Sequence, residues 1–364
     1  MTASAVDVFV LPSSAPDDTG EIAALFDSGR LSPEDVVCIL GKTEGNGCVN
    51  DFSRGLAATA YRQLLADRLG TSPSDVEDEV LLMMSGGTEG VMTPHVTVFA
   101  RSGSEPSEPT EEKRLAAGVA HTEPIPPSEI GRIGQVERTK DAVEAAIADA
   151  NIASNRDVAY VQVKCPLLTA DQIADADGSG TPLCVSESIE SMAYSRGASA
   201  LGVGVATNEF DLAEVSDDTI CSDRSYCSTV ASTSSGSELA HSEVLVLGNS
   251  AMATSNYRIG NAVMEDALDV SAVENAVESA AGEFATDGIV NIFAKAQASS
   301  SGTIRGRRHV IHDDSDIPST RHARSVVSSV IGAVTGDPLA YVSGGAEHQG
   351  PDGGGPVAAL LSVE

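Results

Sequence analysis

Three lysines, three arginines and three serines recur at matched places along the chain, and that combination can carry out acyl transfer by a serine nucleophile. Ser85-Gly86-Gly87-Thr88-Glu89, Ser234-Ser235-Gly236-Ser237-Glu238 and Ser343-Gly344-Gly345-Ala346-Glu347 share one template: serine, a small residue, glycine, a variable residue, glutamate. Each copy is preceded by a lysine that ends an apolar run: Val-Val-Cys-Ile-Leu-Gly-Lys42, Val-Ala-Tyr-Val-Gln-Val-Lys164 and Ile-Val-Asn-Ile-Phe-Ala-Lys295. Between each lysine and its serine an arginine stands in a helix-like run of small residues, at Arg54, Arg196 and Arg324. Arg321 competes for the third place, but Arg324 sets Gly332 and Thr335 in the register that Gly204 and Thr207 hold after Arg196.

A serine hydroxyl attacks a carbonyl well only when a base takes its proton, and a neutral lysine is such a base where its ammonium form is disfavoured. Lysines and arginines gathered at one place supply that disfavour through like charge and burial, so both are expected to lower the lysine pKa. Backbone N–H groups beside the serine can hold the developing oxyanion. The repeated set does not choose which lysine and serine react. The bland alternative is that lysine and serine only hydrogen-bond across a symmetric core.

Elements must bring these residues together. One unit used three times implies a repeated supersecondary block, and the spacing makes each block domain-sized. The expected units are 1–104, 113–249 and 255–364, each mixing strands and helices in similar order around a common axis. In the first, a helix is predicted from Ser53 to about Leu69, where Leu56, Ala60, Leu64 and Leu65 recur at helical spacing before Gly70. Further helices are predicted over 140–149 and 266–281. Residues 102–112 read as a polar, proline-containing linker.

The chain has 364 residues, 41% of them apolar, and a net charge of −31. That acidity repels phosphate backbones, so no nucleic-acid partner is expected, and the basic run Arg305-Gly306-Arg307-Arg308 should pair with nearby carboxylates. The five lysines are Lys42, Lys113, Lys140, Lys164 and Lys295, so three of them sit at the repeated position. Six cysteines with no Cys-x-x-Cys pair and no closely spaced histidine partners argue against a zinc site and a disulfide framework. The N-terminus lacks the basic leader and apolar core of a signal peptide, and no apolar run could span a membrane. A cytoplasmic location is expected.

Other motifs carry less. Asp175-Ala-Asp177-Gly-Ser179-Gly180 has the start of a calcium loop but Ser186 where the bidentate acid belongs, so it reads as an acidic turn. Asp313-Asp314-Ser315-Asp316 reads as a solvated loop. With no Gly-x-Ser-x-Gly elbow, the histidines do not signal a Ser-His-Asp triad.

The segments Gly41-Lys42-Thr-Glu-Gly-Asn-Gly-Cys48, Asp51-Phe-Ser-Arg54-Gly, Ser85-Gly-Gly-Thr-Glu-Gly-Val-Met-Thr-Pro-His95, Val161-Gln-Val-Lys164-Cys-Pro-Leu-Leu and His348-Gln-Gly-Pro-Asp-Gly-Gly-Gly-Pro356 resemble the cyanuric acid hydrolase and barbiturase family of ring-opening amidases, essentially end to end. The resemblance implies an α/β fold of three similar repeats around a pseudo-threefold axis, with a central β-barrel and the helices outside. It implies Lys164 as base and Ser234 as nucleophile, with Lys42 and Lys295 in supporting dyads. The ring would be bound by Arg54, Arg196 and Arg324 with Ser85, Gly86, Ser235, Ser343 and Gly344. A structural Mg²⁺ or Ca²⁺ would be held near the C-terminal loop by Ala346, Gln349, Gly350, Pro351 and Gly354, with Gln297 where the resemblance calls for a glutamate. No cofactor would serve catalysis, and a homotetramer is expected. The implied reaction opens cyanuric acid to carboxybiuret, which loses CO₂ to give biuret. Barbituric acid opening to ureidomalonate is the same-site alternative, and a non-catalytic protein binding small rings is the alternative of another class.

Overall fold

In the computed structural model of the chain, which describes residues 5–103 and 108–363, three units repeat one strand order. The first contains β1 (Ala5–Pro12), α1 (Gly20–Asp27), β2 (Val36–Thr43), α2 (Phe52–Leu69), α3 (Pro73–Glu79), β3 (Leu81–Gly86) and β4 (His95–Ser102). The second contains β5 (Arg114–His121), α4 (Ile133–Asp149), β6 (Val158–Pro166), α5 (Ala170–Ser179), α6 (Ser188–Ala206), β7 (Ala231–Gly236) and β8 (Glu243–Ser250). The third contains β9 (Tyr257–Met264), α7 (Val270–Ala281), β10 (Ile289–Ala296), a ribbon of β11 (Thr303–Ile304) and β12 (Arg307–Arg308), α8 (Ser319–Thr335), β13 (Tyr341–Gly344) and β14 (Gly355–Ser362).

The three sheets run β1-β4-β2-β3, β5-β8-β6-β7 and β9-β14-β10-β13. In each, the lysine strand pairs parallel to the serine strand, β2 with β3, β6 with β7 and β10 with β13. Parallel neighbours need a long crossover, and the helices that carry the arginines provide it. The expected closed central barrel does not form among the described residues. Each hydrogen-bonded ladder stops at its own four strands, and the sheets meet through side chains.

Strand alternation decides which way the lysines point. Cys38 and Leu40 on β2, Tyr160 on β6 and Phe293 on β10 belong to one apolar cluster shared by all three sheets. Ile39, Val161 with Val163, and Ile292 with Ala294 point instead to the helices of their own units. Lys42, Lys164 and Lys295 continue the inward series and are buried at its end.

The helix of the first unit begins where predicted, with Asp51 accepting from the Ser53 N–H at 2.9 Å, and ends at Gly70 with φ 67°. The helix predicted over 140–149 starts earlier, at Ile133, and the one predicted over 266–281 starts at Val270. The acidic run read as a turn lies in α5, which closes at Gly180. Helix α6 is buried nearly all round, which its run of Gly, Ala and Ser permits: a Cβ on Gly202 would stand 2.6 Å from the Val136 carbonyl oxygen of α4. Arg305 and Arg308 pair with Asp266 and Asp313, as the acidic composition predicts. Residues 104–107 of the predicted linker lie outside the described residues.

Candidate active site

Parallel pairing sets each lysine opposite its serine: Lys42 faces Ser85, Lys164 faces Ser234 and Lys295 faces Ser343. Lys42 Nζ is 3.2 Å from Ser85 Oγ, and Lys295 Nζ is 3.1 Å from Ser343 Oγ. The middle pair differs. Lys164 Nζ lies 3.0 Å from Glu238 Oε1 and donates to the Met84 carbonyl at 2.8 Å, while Ser234 Oγ accepts from Gln162 Nε2 at 3.4 Å.

The arginines close a ring between units. Arg196 of the second unit holds Glu347 of the third through Nε at 2.8 Å and an η-nitrogen at 2.7 Å. Arg324 of the third holds Glu89 of the first with two contacts of 2.6 Å. Arg54 of the first reaches Glu238 of the second at 3.1 Å, and one of its η-nitrogens is buried without a partner. Two lysines reach the opposite way round, to the preceding unit: Lys164 donates to Met84 of the first unit and Lys295 to Thr233 of the second at 2.6 Å. The glutamates are therefore site residues to which sequence reasoning assigned no role, although the repeated template already displayed them.

The glycine of the template has a steric reason. Gly87 and Gly345 take φ of 100° and 79°, and a Cβ there would stand 2.5 Å from Arg324 and 2.7 Å from the Arg196 guanidinium. Gly86 leaves no space either, as a Cβ would meet Asp51 Oδ2, whereas Ser235 fits and donates to the Met192 carbonyl at 3.3 Å.

Arg54, Ser85, Gly86, Lys164, Arg196, Ser234, Ser235, Arg324, Ser343 and Gly344 line one cleft with Gly47 and Met192. Lys42 and Lys295 lie buried behind it. Burial lowers the pKa of Lys164; Glu238 raises it, Arg54 lowers it again, and the net shift is downward. Burial likewise takes Lys42 and Lys295 well below an ordinary lysine, with Arg324 the next cause for the first and Arg196 for the second. Lys164 thus answers to burial first and to its own carboxylate second, and the like charge that lowers it further is that of Arg54, not of the other two lysines. Burial opposes ionisation of Glu238, but Lys164 and Arg54 outweigh it and hold the carboxyl at about 2.

The residues expected to hold a divalent cation are only partly together. Gln297, Ala346, Gly350 and Pro351 line a small pocket with Arg224, Glu347 and Asp352, while the Gln349 side chain turns away and accepts the Thr233 N–H at 2.7 Å. Gly354 does not line that pocket. Both carboxylates are committed, Glu347 to Arg196 and Asp352 to Arg224, and a guanidinium already lines the space. The side-chain oxygen left for a hard divalent cation in this pocket is the Gln297 amide, so a cation held there would rest mainly on backbone carbonyls, which such ions also accept. Among the described residues no group of three or more His, Cys, Asp or Glu is placed to hold a metal.

Residues 7–362 match the model of the amidohydrolase ring-opening protein family. The chain belongs to this family. It is 49% identical to a cyanuric acid amidohydrolase of Enterobacter cloacae, over 97% of this chain and 98% of that one, and 48% identical to one of Bradyrhizobium diazoefficiens over the whole of both. It is 46% identical to a cyclic amide hydrolase of Azorhizobium caulinodans over 98% of this chain and 99% of that one. Among solved structures, a cyanuric acid hydrolase superposes with a TM-score of 0.95 at 46% identity, covering 99% of this chain and 100% of the other. The A. caulinodans cyanuric acid hydrolase superposes with 0.92 at 45% identity, covering 99% of both. This ring-opening family thus shares the three-unit α/β fold. Among the described residues no helix is long and apolar enough to cross a membrane.

Proposed function

We propose that the chain hydrolyses cyanuric acid, opening its ring with Ser234 as nucleophile and Lys164 as base. The observation that carries this reading is the threefold set of Ser, Lys and Arg around one cleft. Cyanuric acid is planar and presents three equivalent carbonyls and three equivalent N–H groups, so each edge can meet the same residues. Ser85 and Ser343, each bonded to its lysine, hold two carbonyls, and the arginines, fixed by glutamates of the next unit, present their remaining N–H groups to the ring.

At the third carbonyl, Lys164 turns from Glu238 and takes the proton of Ser234. Ser234 Oγ bonds to the carbonyl carbon, and the negative charge moves to the carbonyl oxygen. As that charge returns, the ring C–N bond breaks and the lysine ammonium gives its proton to the leaving nitrogen. Water, activated by the same lysine, hydrolyses the ester and frees carboxybiuret, which loses CO₂ to give biuret. No step is routed through a metal.

The test is incubation of the purified protein with cyanuric acid and with barbituric acid while ring absorbance is followed. Barbituric acid replaces one N–H by CH₂, leaving one pocket partner unsatisfied at about 1 to 3 kcal/mol. Cyanuric acid should have a kcat/KM at least roughly tenfold higher. A preference for barbituric acid would make the chain a barbiturase, and turnover of neither would remove the reading.

A further inference from the structure

The three serine–lysine pairs match in sequence and register, but the ground beneath them does not. Counting back two residues from each lysine along its strand gives Leu40, Gln162 and Phe293, all on the face turned to the shared central core. Four residues back stand Cys38, Tyr160 and Asn291. Under Ser234 the core-facing residues are therefore polar where the first unit is apolar. Tyr160 donates its hydroxyl to Gln162 Oε1 at 2.8 Å, and Gln162 Nε2 donates to Ser234 Oγ at 3.4 Å and to the Val163 carbonyl at 3.3 Å. A carbonyl can only accept, so the Val163 contact fixes which end of the amide faces Ser234. Ser232, two residues before Ser234, adds a further buried hydroxyl where the first unit has Met83, and the third unit has the buried Tyr341 there.

Gln162 is fully buried among the residues of the central core. An amide in that setting stabilises little by itself, because its desolvation offsets most of its hydrogen bonds. Leu40 shows that an aliphatic side chain serves the same register in the first unit.

We propose that Gln162 is the positioning residue that singles out Ser234 from the three equivalent serines; this rests on the reading of Ser234 as nucleophile. A serine hydroxyl has one proton and two acceptor sites. Gln162 fills one acceptor site from below, which leaves the O–H for the base and the other lone pair for the substrate carbonyl. When the proton leaves for Lys164, the amide N–H remains on an oxygen that has gained charge, and such a bond strengthens. Ser85 and Ser343 have Leu40 and Phe293 at that position and take their hydrogen bonds from Lys42 and Lys295 instead.

The test compares Gln162→Met, which keeps length and removes the donor, with Ser234→Ala and the parent, reading kcat and KM separately with the melting temperature alongside. Gln162→Met should lower kcat by about 10- to 100-fold, the worth of one hydrogen bond to a charging oxygen, and leave KM within roughly threefold. Its melting temperature should be equal or higher, which a merely structural role would not give. If Gln162→Met does not fold, Tyr160→Phe keeps the amide without its anchor and should lower kcat by a smaller factor at constant KM. A kcat within twofold of the parent in the variant that folds would overturn this inference alone, provided Ser234→Ala is inactive. An active Ser234→Ala would overturn it together with the nucleophile assignment.

Discussion

Lys164 and Ser234 are paired across β6 and β7, yet the lysine amine rests 3.0 Å from Glu238 and not on the serine. The proposed base is stored as half of an ion pair. Glu238 raises the lysine pKa against the downward pull of burial. A base must be neutral to act, so activity rises with pH through that pKa. Glu238→Gln should therefore move the acid limb of kcat/KM to lower pH, while raising KM because Arg54 loses its anchor. Lys42→Met should leave the limb in place, since the charges that act on Lys164 are those of Glu238 and Arg54. A limb that stays put in Glu238→Gln would show that the pair does not govern the base.

Glu243 lies opposite Lys164 on the other side of β6, 4% exposed, and its Oε2 has no hydrogen-bond partner. Burial raises its pKa to about 7 despite the attraction of Lys164. The folded state thus holds this proton more tightly than the unfolded chain, so stability is lost as pH rises from the ordinary 4.5 to about 7. Glu243→Gln should stabilise the protein above pH 7 by roughly 3 kcal/mol and leave it unchanged near pH 4. Urea unfolding at both pH values measures this, and an equal change at the two would contradict it.

The Arg324 and Glu89 pair joins the third unit to the first through two contacts of 2.6 Å, with the arginine 4% exposed. Removing one partner of a buried pair leaves a buried charge, a loss of about 3 to 5 kcal/mol. Glu89→Gln should lower the melting temperature clearly, and Glu89→Gln with Arg324→Met should recover part of it. Equal melting temperatures for the single variant and the parent would contradict a load on this contact.

The C-terminal loop is tied by Arg224 to Asp352 and by Gln349 to Thr233. Dialysis against a chelator should change the melting temperature by less than about 1 °C, because only a ligand bound to the folded state alone stabilises it. A drop of several degrees, restored by Mg²⁺ or Ca²⁺, would show a cation there.

Repetition made the lysines, arginines and serines legible, because three copies of one pattern separate site residues from their variable neighbours. The glutamates stood in the same template, but their partners lie in other units, and no local spacing reveals a contact such as Arg196 to Glu347. The extent of α4 was missed because Gln135 and Thr139 break its apolar stripe, and both are buried against other helices. That the closed barrel implied by the resemblance does not form among the described residues was not legible for a related reason: strand patterns show which face is buried, not whether the edge strands hydrogen-bond. The symmetry-breaking Gln162 was visible inside Val-Gln-Val, and its meaning emerged only once alternation turned it toward the core.

The central claim is that one of three matched pairs reacts while the other two hold the ring. Kinetics of Ser234→Ala, Lys164→Ala, Ser85→Ala and Ser343→Ala on cyanuric acid test it most directly. The first two should lower kcat by several orders of magnitude, on the scale of losing a nucleophile or its base, and the last two should raise KM as well as lowering kcat. If Ser85→Ala were as inactive in kcat as Ser234→Ala with an unchanged KM, the division of labour would be wrong.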